Sequence, residues 1–92
     1  MSYAKRTDAN HAQIASAFAA CGWYVKDVHT IPNFCDFIVA RAGRVEFIEA
    51  KDGAKPPSAR QLTPGEHEFH AHMAAAGYPV RIITSAAEAA AL

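Results

Sequence analysis

The chain has 92 residues, enough for one domain with a single core, and at 51% hydrophobic and 20% charged it is neither a disordered nor a fibrous sequence. Nine basic residues balance nine acidic ones, so there is no overall basic field of the kind that announces a nucleic-acid binder.

In chain order, DANHAQIASAFAAC (8–21) is Ala-rich, with Asp8 as N-cap and Gly22 beyond its end, and predicts a helix. Its apolar stripe runs through Ile14, Ala15, Phe18 and Cys21 and, one turn upstream, passes through His11. WYVKDVHTI (Trp23 to Ile31) is β-branched and aromatic and predicts a first strand, broken by Pro32-Asn33. Trp23 and Tyr24 at its start are expected in the core or at a dimer interface. Cys35–Arg41 and Arg44–Lys51 flank Ala42-Gly43 and predict a hairpin. DGAKPPSARQ is a polar, Pro-containing loop. LTPGEHEFHAHMAAAG opens with Thr63 as N-cap, Pro64 at the first helical position and Glu66 in capping-box position, and it stops before Gly77. YPVRIITS predicts a fourth strand, and SAAEAAAL a short last helix opened by Ser85 and Glu88. The expected fold is α/β, in the order α-β-β-β-α-β-α, with a mixed four-stranded sheet flanked by helices.

No apolar run approaches the roughly 18 residues of a membrane span, and MSYAKRTDANH lacks the apolar middle of a signal peptide. Cys21 and Cys35, without C-x-x-C spacing, suggest neither a disulfide framework nor a zinc site. A cytoplasmic protein with free thiols is expected, of marginal stability alone and helped by dimerisation.

The hairpin carries an unusual set of charges. Alternation along the second strand puts Glu49 and Lys51 on one face with Val45 and Phe47, and turns Glu46, Ile48 and Ala50 to the other, with Glu46 on the wetter side. A two-residue Ala42-Gly43 loop pairs Arg41 with Arg44 and so sets Asp36 opposite Glu49, as a non-hydrogen-bonded pair with Cα atoms roughly 4.5 Å apart. The other pairs on that face, Ile38 with Phe47 and Ala40 with Val45, are apolar. Like charges facing each other on a half-buried surface are destabilising unless something positive lies between them. Lys51 is one candidate, in a structural Asp-Lys-Glu cluster. A divalent cation is the other, since oxygen ligands converging from two strands are what Mg²⁺ or Mn²⁺ prefers. In that arrangement Lys51 faces whatever the metal holds, a layout suited to phosphodiester hydrolysis.

Asp36 on one strand, followed by Glu49-Ala50-Lys51 on the next, resembles the PD-(D/E)XK nuclease motif. RTDANHAQI, EAKDGAKPPSARQLTP and EFH make the chain similar, from about Arg6 to Ser85, to the small stand-alone phage and prophage nucleases of the VRR-NUC branch and to Holliday-junction resolvases. The resemblance implies a restriction-endonuclease-like core and a Mg²⁺- or Mn²⁺-dependent deoxyribonuclease. In it Asp36, Glu49 and the carbonyl of Ala50 bind the metal and Lys51 is catalytic. Cys35 stands where the motif usually has Pro. His11 stands where the family's first helix often supplies an acidic or amide ligand, and imidazole suits Mn²⁺ better than Mg²⁺. For a phage or prophage protein the compartment is the bacterial host cytoplasm.

HEFHAH (His67 to His72) does not make a metalloprotease site, because H-E-x-x-H requires His where Ala71 stands. Phe69, Met73 and Ala76 are expected to form the buried stripe of that helix, leaving His67 and His70 on its solvated flank. Lys55 and Arg60, with Lys5 and Arg6, are candidates for contacts to a nucleic-acid backbone. A metal held by Asp36 and Glu49 adds the local positive charge that the neutral chain lacks, and a dimer presents two such sites. The expected substrate is DNA, recognised by backbone and shape at branches or junctions. The alternative is a non-catalytic nucleic-acid or protein-binding module with a nuclease-like fold.

Overall fold

Ala42 and Gly43 both lie in the left-handed region, with φ of +49° and +79°. Two successive positive φ values make a type I′ turn, whose twist matches that of the strands it joins. The loop therefore closes Arg41 onto Arg44, and from there the ladder runs Ala40 to Val45, Val39 to Glu46, Ile38 to Phe47 and Phe37 to Ile48. This is the register expected from the sequence.

The computed structural model describes residues 10–92. The elements are α1 (His11–Ala20), β1 (Tyr24–Asp27), β2 (Phe37–Arg41), β3 (Arg44–Ala50), α2 (Pro64–Ala75), β4 (Arg81–Ile83) and α3 (Ala86–Ala91), with a 3-10 turn at Pro57–Ala59. The sheet order is β1-β2-β3-β4; the first three strands are antiparallel, and β4 runs parallel to β3. The chain is thus α/β, a mixed four-stranded sheet flanked by helices in the expected order. No helix among the described residues is long and apolar enough to cross a membrane. Cys21 is half-buried, and Cys35 is buried with its Sγ 3.5 Å from the Phe37 carbonyl.

One face of the sheet is the core. Phe37, Val39, Ile48 and Ala50 meet Ile14 and Phe18 of α1, Ala89 of α3, Trp23 and Ile83, all almost fully buried. Burial of each large side chain contributes about 1.5–3 kcal/mol. Trp23 closes one end, edge-on to Phe18 with centroids 6.0 Å apart and under the Arg41 guanidinium at 4.4 Å. Tyr24, by contrast, is exposed rather than in the core, because the next residue of a strand points to the opposite face. Glu46 is also not on the wetter face: it shares the core face with Ile48 and Ala50. It sits at the rim, where Arg44 and Arg81 close on its carboxylate at 2.9 and 3.1 Å.

Several elements are shorter than expected. The first strand does not reach Ile31, because Asp27 Oδ1 accepts the N–H of His29 at 3.0 Å and turns the chain out of the sheet. β2 begins at Phe37, after Cys35 and Asp36. β4 begins only at Arg81, since Pro79 has no N–H to offer and Tyr78 donates to Met73 at the end of α2. The expected cap Asp8 lies outside the described residues. Asn10 occupies the cap position of α1, and its Nδ2 donates to the carbonyls of Lys51 (3.0 Å) and Thr84 (2.8 Å), tying the helix to the ends of β3 and β4.

α2 crosses between the parallel strands β3 and β4 on the face opposite the core. Its start is as expected: the Thr63 hydroxyl accepts from the Glu66 N–H, and Glu66 Oε1 accepts from the Thr63 N–H at 3.0 Å. Its buried stripe differs. Phe69 and Met73 are only half-buried and Ala76 is exposed, while Glu66 is 3% exposed. The helix meets the sheet through Phe34, packed between Phe69 (4.9 Å) and Phe47 (6.4 Å), and through its first turn. There Gly65 admits the Asn33 side chain; a Cβ on residue 65 would collide with Asn33 Oδ1.

Candidate metal centre

Asp36 occupies a bend one residue ahead of β2. Its N–H donates to the Ile48 carbonyl at 2.9 Å, although Ile48 is already the partner of Phe37. Two residues of this strand therefore face one of β3, as in a bulge, and a bulge re-aims a side chain. The expected position directly opposite Glu49 is corrected accordingly. The Asp36 carboxylate is turned onto the β3 backbone, where Oδ2 accepts the Ala50 N–H at 2.8 Å. The N–H and C=O of a strand residue point to the same side, so the Ala50 carbonyl lies on the side from which Asp36 approaches.

Glu49 is 1% exposed and points away from the apolar core, to the face that α2 covers. Its Oε1 lies 3.4 Å from His70 Nε2 and its Oε2 lies 3.9 Å from Lys51 Nζ. The Lys51 ammonium is also 4.0 Å from Glu66 Oε1, so it sits between two buried carboxylates, of which alternation along the strand accounts for Glu49 alone. Lys51 itself extends the parallel pairing, donating its N–H to Ile83 at 3.0 Å.

Glu66 and His70 extend the site beyond the residues identified from the sequence. They are spaced i, i+4, hence on one face of α2, and both reach the Glu49-Lys51 pair. His70 is not on the solvated flank; His67 is. Their spacing, a charged residue one turn before a histidine, was the available signal. Periodicity concealed it, because Phe69 and Met73 form the more apolar stripe.

His11 does not join these residues. Its Nε2 lies 3.2 Å from Asp27 Oδ2, on the α1 side of the sheet, and its ring packs on Phe37 with centroids 4.3 Å apart. The imidazole beside Glu49 belongs to His70 instead. Arg60 lines a cleft of about 290 Å³ with Lys51, Pro57, Ile82 and Thr84. Among the described residues its buried Nε has no hydrogen-bond partner. Lys55 lies on the exposed loop before this cleft. Lys5 and Arg6 lie outside the described residues.

Asp36, bonded to the Ala50 backbone, and Glu49, beside His70, put two carboxylates, a strand carbonyl and an imidazole on neighbouring positions. The oxygens fit a hard divalent cation, and the imidazole is tolerated better by Mn²⁺ than by Mg²⁺. Comparison of the chain with protein-family models, with curated proteins and with solved structures finds no match.

Proposed function

We propose that the chain is a Mg²⁺- or Mn²⁺-dependent DNA endonuclease of the PD-(D/E)XK type that hydrolyses phosphodiester bonds, selectively at branched DNA such as Holliday junctions, and acts as a homodimer. The observation that carries this reading is that buried Asp36 accepts the backbone N–H of Ala50, the residue next to buried Glu49, whose Oε2 lies 3.9 Å from Lys51 Nζ.

Asp36, Glu49 and the Ala50 carbonyl would hold the cation, which supplies a Lewis acid for the phosphoryl oxygen and lowers the pKa of its bound water. Lys51, kept in place by Glu49 and Glu66, orients the attacking water and offsets the charge that develops on the phosphate. Arg60, lining the same cleft as Lys51, is suited to a neighbouring backbone phosphate. Lys55, at the rim, serves the same backbone. The neutral net charge matches local recognition of backbone and shape more than a broad electrostatic footprint. Two such sites in a dimer match the two strands cut at a four-way junction.

The test is cleavage of plasmid and four-way-junction DNA with Mg²⁺, Mn²⁺ or EDTA, beside Lys51→Ala. Metal-dependent cutting by the wild type and its loss in a folded Lys51→Ala variant are expected. Full activity in that variant defeats the assignment of Lys51, and intact substrates under every condition favour a non-catalytic binding module.

A further inference from the structure

We propose that His11, Asp27 and His29 form a second cation site, on the opposite face of the sheet from Glu49, selective for a borderline divalent transition metal of the Zn²⁺ class.

The three residues come from separate segments. His11 is the first residue of α1, Asp27 is the last of β1, and His29 follows in the turn that Asp27 itself caps. Each offers one ligand atom, and these atoms all lie within 4.8 Å of one another. The Asp27 carboxylate is shared between the rings: Oδ2 is 3.2 Å from His11 Nε2 and Oδ1 is 2.5 Å from His29 Nδ1. The His11 ring lies tilted against buried Phe37, with centroids 4.3 Å apart, and is set edge-on to His29 at 5.1 Å.

With metal–ligand bonds of about 2.0–2.1 Å, the ligand atoms of a tetrahedral site are roughly 3.3 Å apart. The His11 pair already has that separation. His29 lies against the other oxygen, Oδ1, and all three ligand atoms are within 4.8 Å of one another, so turning the His29 ring and the Asp27 carboxylate brings them onto one ion.

Two imidazole nitrogens and one carboxylate oxygen are the donor set of Zn²⁺ and its neighbours in the first transition row; Mg²⁺ and Ca²⁺ demand oxygen. The exposure of the side chains rises from His11 (12%) through His29 (25%) to Asp27 (49%), so the cluster opens to solvent on one side. That leaves an entry path and a fourth position for water. A bound ion would pin the start of α1 to the end of β1 and the turn that follows it.

The site is independent of the proposed nuclease centre, so each can fail without the other. Isothermal titration of ZnCl₂ into the full chain tests it, in wild type, His29→Ala, Asp27→Asn and the double variant Glu49→Gln/His70→Ala. Expected are one Zn²⁺ per chain, an affinity weaker by more than about 100-fold in His29→Ala and Asp27→Asn, and an unchanged affinity in the double variant. Asp27→Asn retains the shape of the side chain, and far-UV circular dichroism checks that each variant is folded. No Zn²⁺ binding by the wild type overturns the proposal. So does binding that survives in folded His29→Ala and Asp27→Asn, or that is lost only in the double variant.

Discussion

Asp36 Oδ2 accepts the backbone N–H of Ala50 at 2.8 Å, so the side chain that precedes β2 is fixed to the last residue of β3. The bond gives Asp36 two separable roles, one in folding and one in charge. In Asp36→Asn the carboxamide oxygen still accepts from Ala50, and the loss of stability is limited to about 1 kcal/mol, while the anionic charge proposed to hold the metal is gone. Asp36→Ala leaves a buried N–H unsatisfied, at about 1–3 kcal/mol. Denaturant unfolding should rank wild type, Asn and Ala in that order, and DNA cleavage should fall more than about 100-fold in both variants. Cleavage retained by Asp36→Asn removes this carboxylate from the metal centre.

Glu66 similarly joins two tasks, capping α2 and flanking Lys51 at 4.0 Å. Gln serves as well as Glu in a capping box. Glu66→Gln should therefore unfold close to wild type but cleave about 10-fold more slowly, having lost one of the charges that hold the ammonium. Glu66→Ala should in addition lose about 0.5–1.5 kcal/mol of stability with the hydrogen bond from the Thr63 N–H. Equal cleavage by Glu66→Gln and wild type limits Glu66 to the helix start.

These two residues show where the sequence was legible. The Ala42-Gly43 loop fixed the ladder, and the Thr63-Pro64-Gly65-Glu66 start fixed α2, because turns and caps are local chemistry. Asp36 departed from expectation because pairing arithmetic carries a ladder onward without interruption, whereas Asp36 and Phe37 both meet Ile48. His70 was missed because periodicity identifies a helix's most apolar stripe. α2 instead turns its Glu66-His70 row toward buried charge on the sheet, a tertiary demand. The cluster of His11, Asp27 and His29 needed the packing of α1 against β1 to bring distant residues together.

Ala42 carries the turn with φ of +49°. An L-residue with a Cβ holds this conformation at a cost of about 1–2 kcal/mol, less for Asn, whose side chain can bond locally. Asn-Gly is also the favoured pair for a type I′ loop. Ala42→Asn should therefore raise stability by about 0.5–1 kcal/mol, seen as a higher Tm of a few degrees, without changing the register or DNA cleavage. A lower Tm shows that the turn relies on something other than backbone conformation.

Glu46 determines an acid-side dependence that can be assigned to one group. Burial works to raise its carboxyl, but hydrogen bonds from Arg44 and Arg81, with their charges, outweigh this and hold it below its ordinary value of 4.5. A carboxyl depressed in the folded state stabilises the fold above its unfolded value, and that contribution is lost as pH falls toward the folded one. The stability gap between wild type and Glu46→Gln should therefore be widest above pH 4.5 and close as the pH is lowered further. Because Arg44 and Arg81 are 43% and 46% exposed, added salt should narrow the gap at neutral pH. Urea unfolding of both proteins across this range measures it, and a gap that widens on acidification contradicts the assignment.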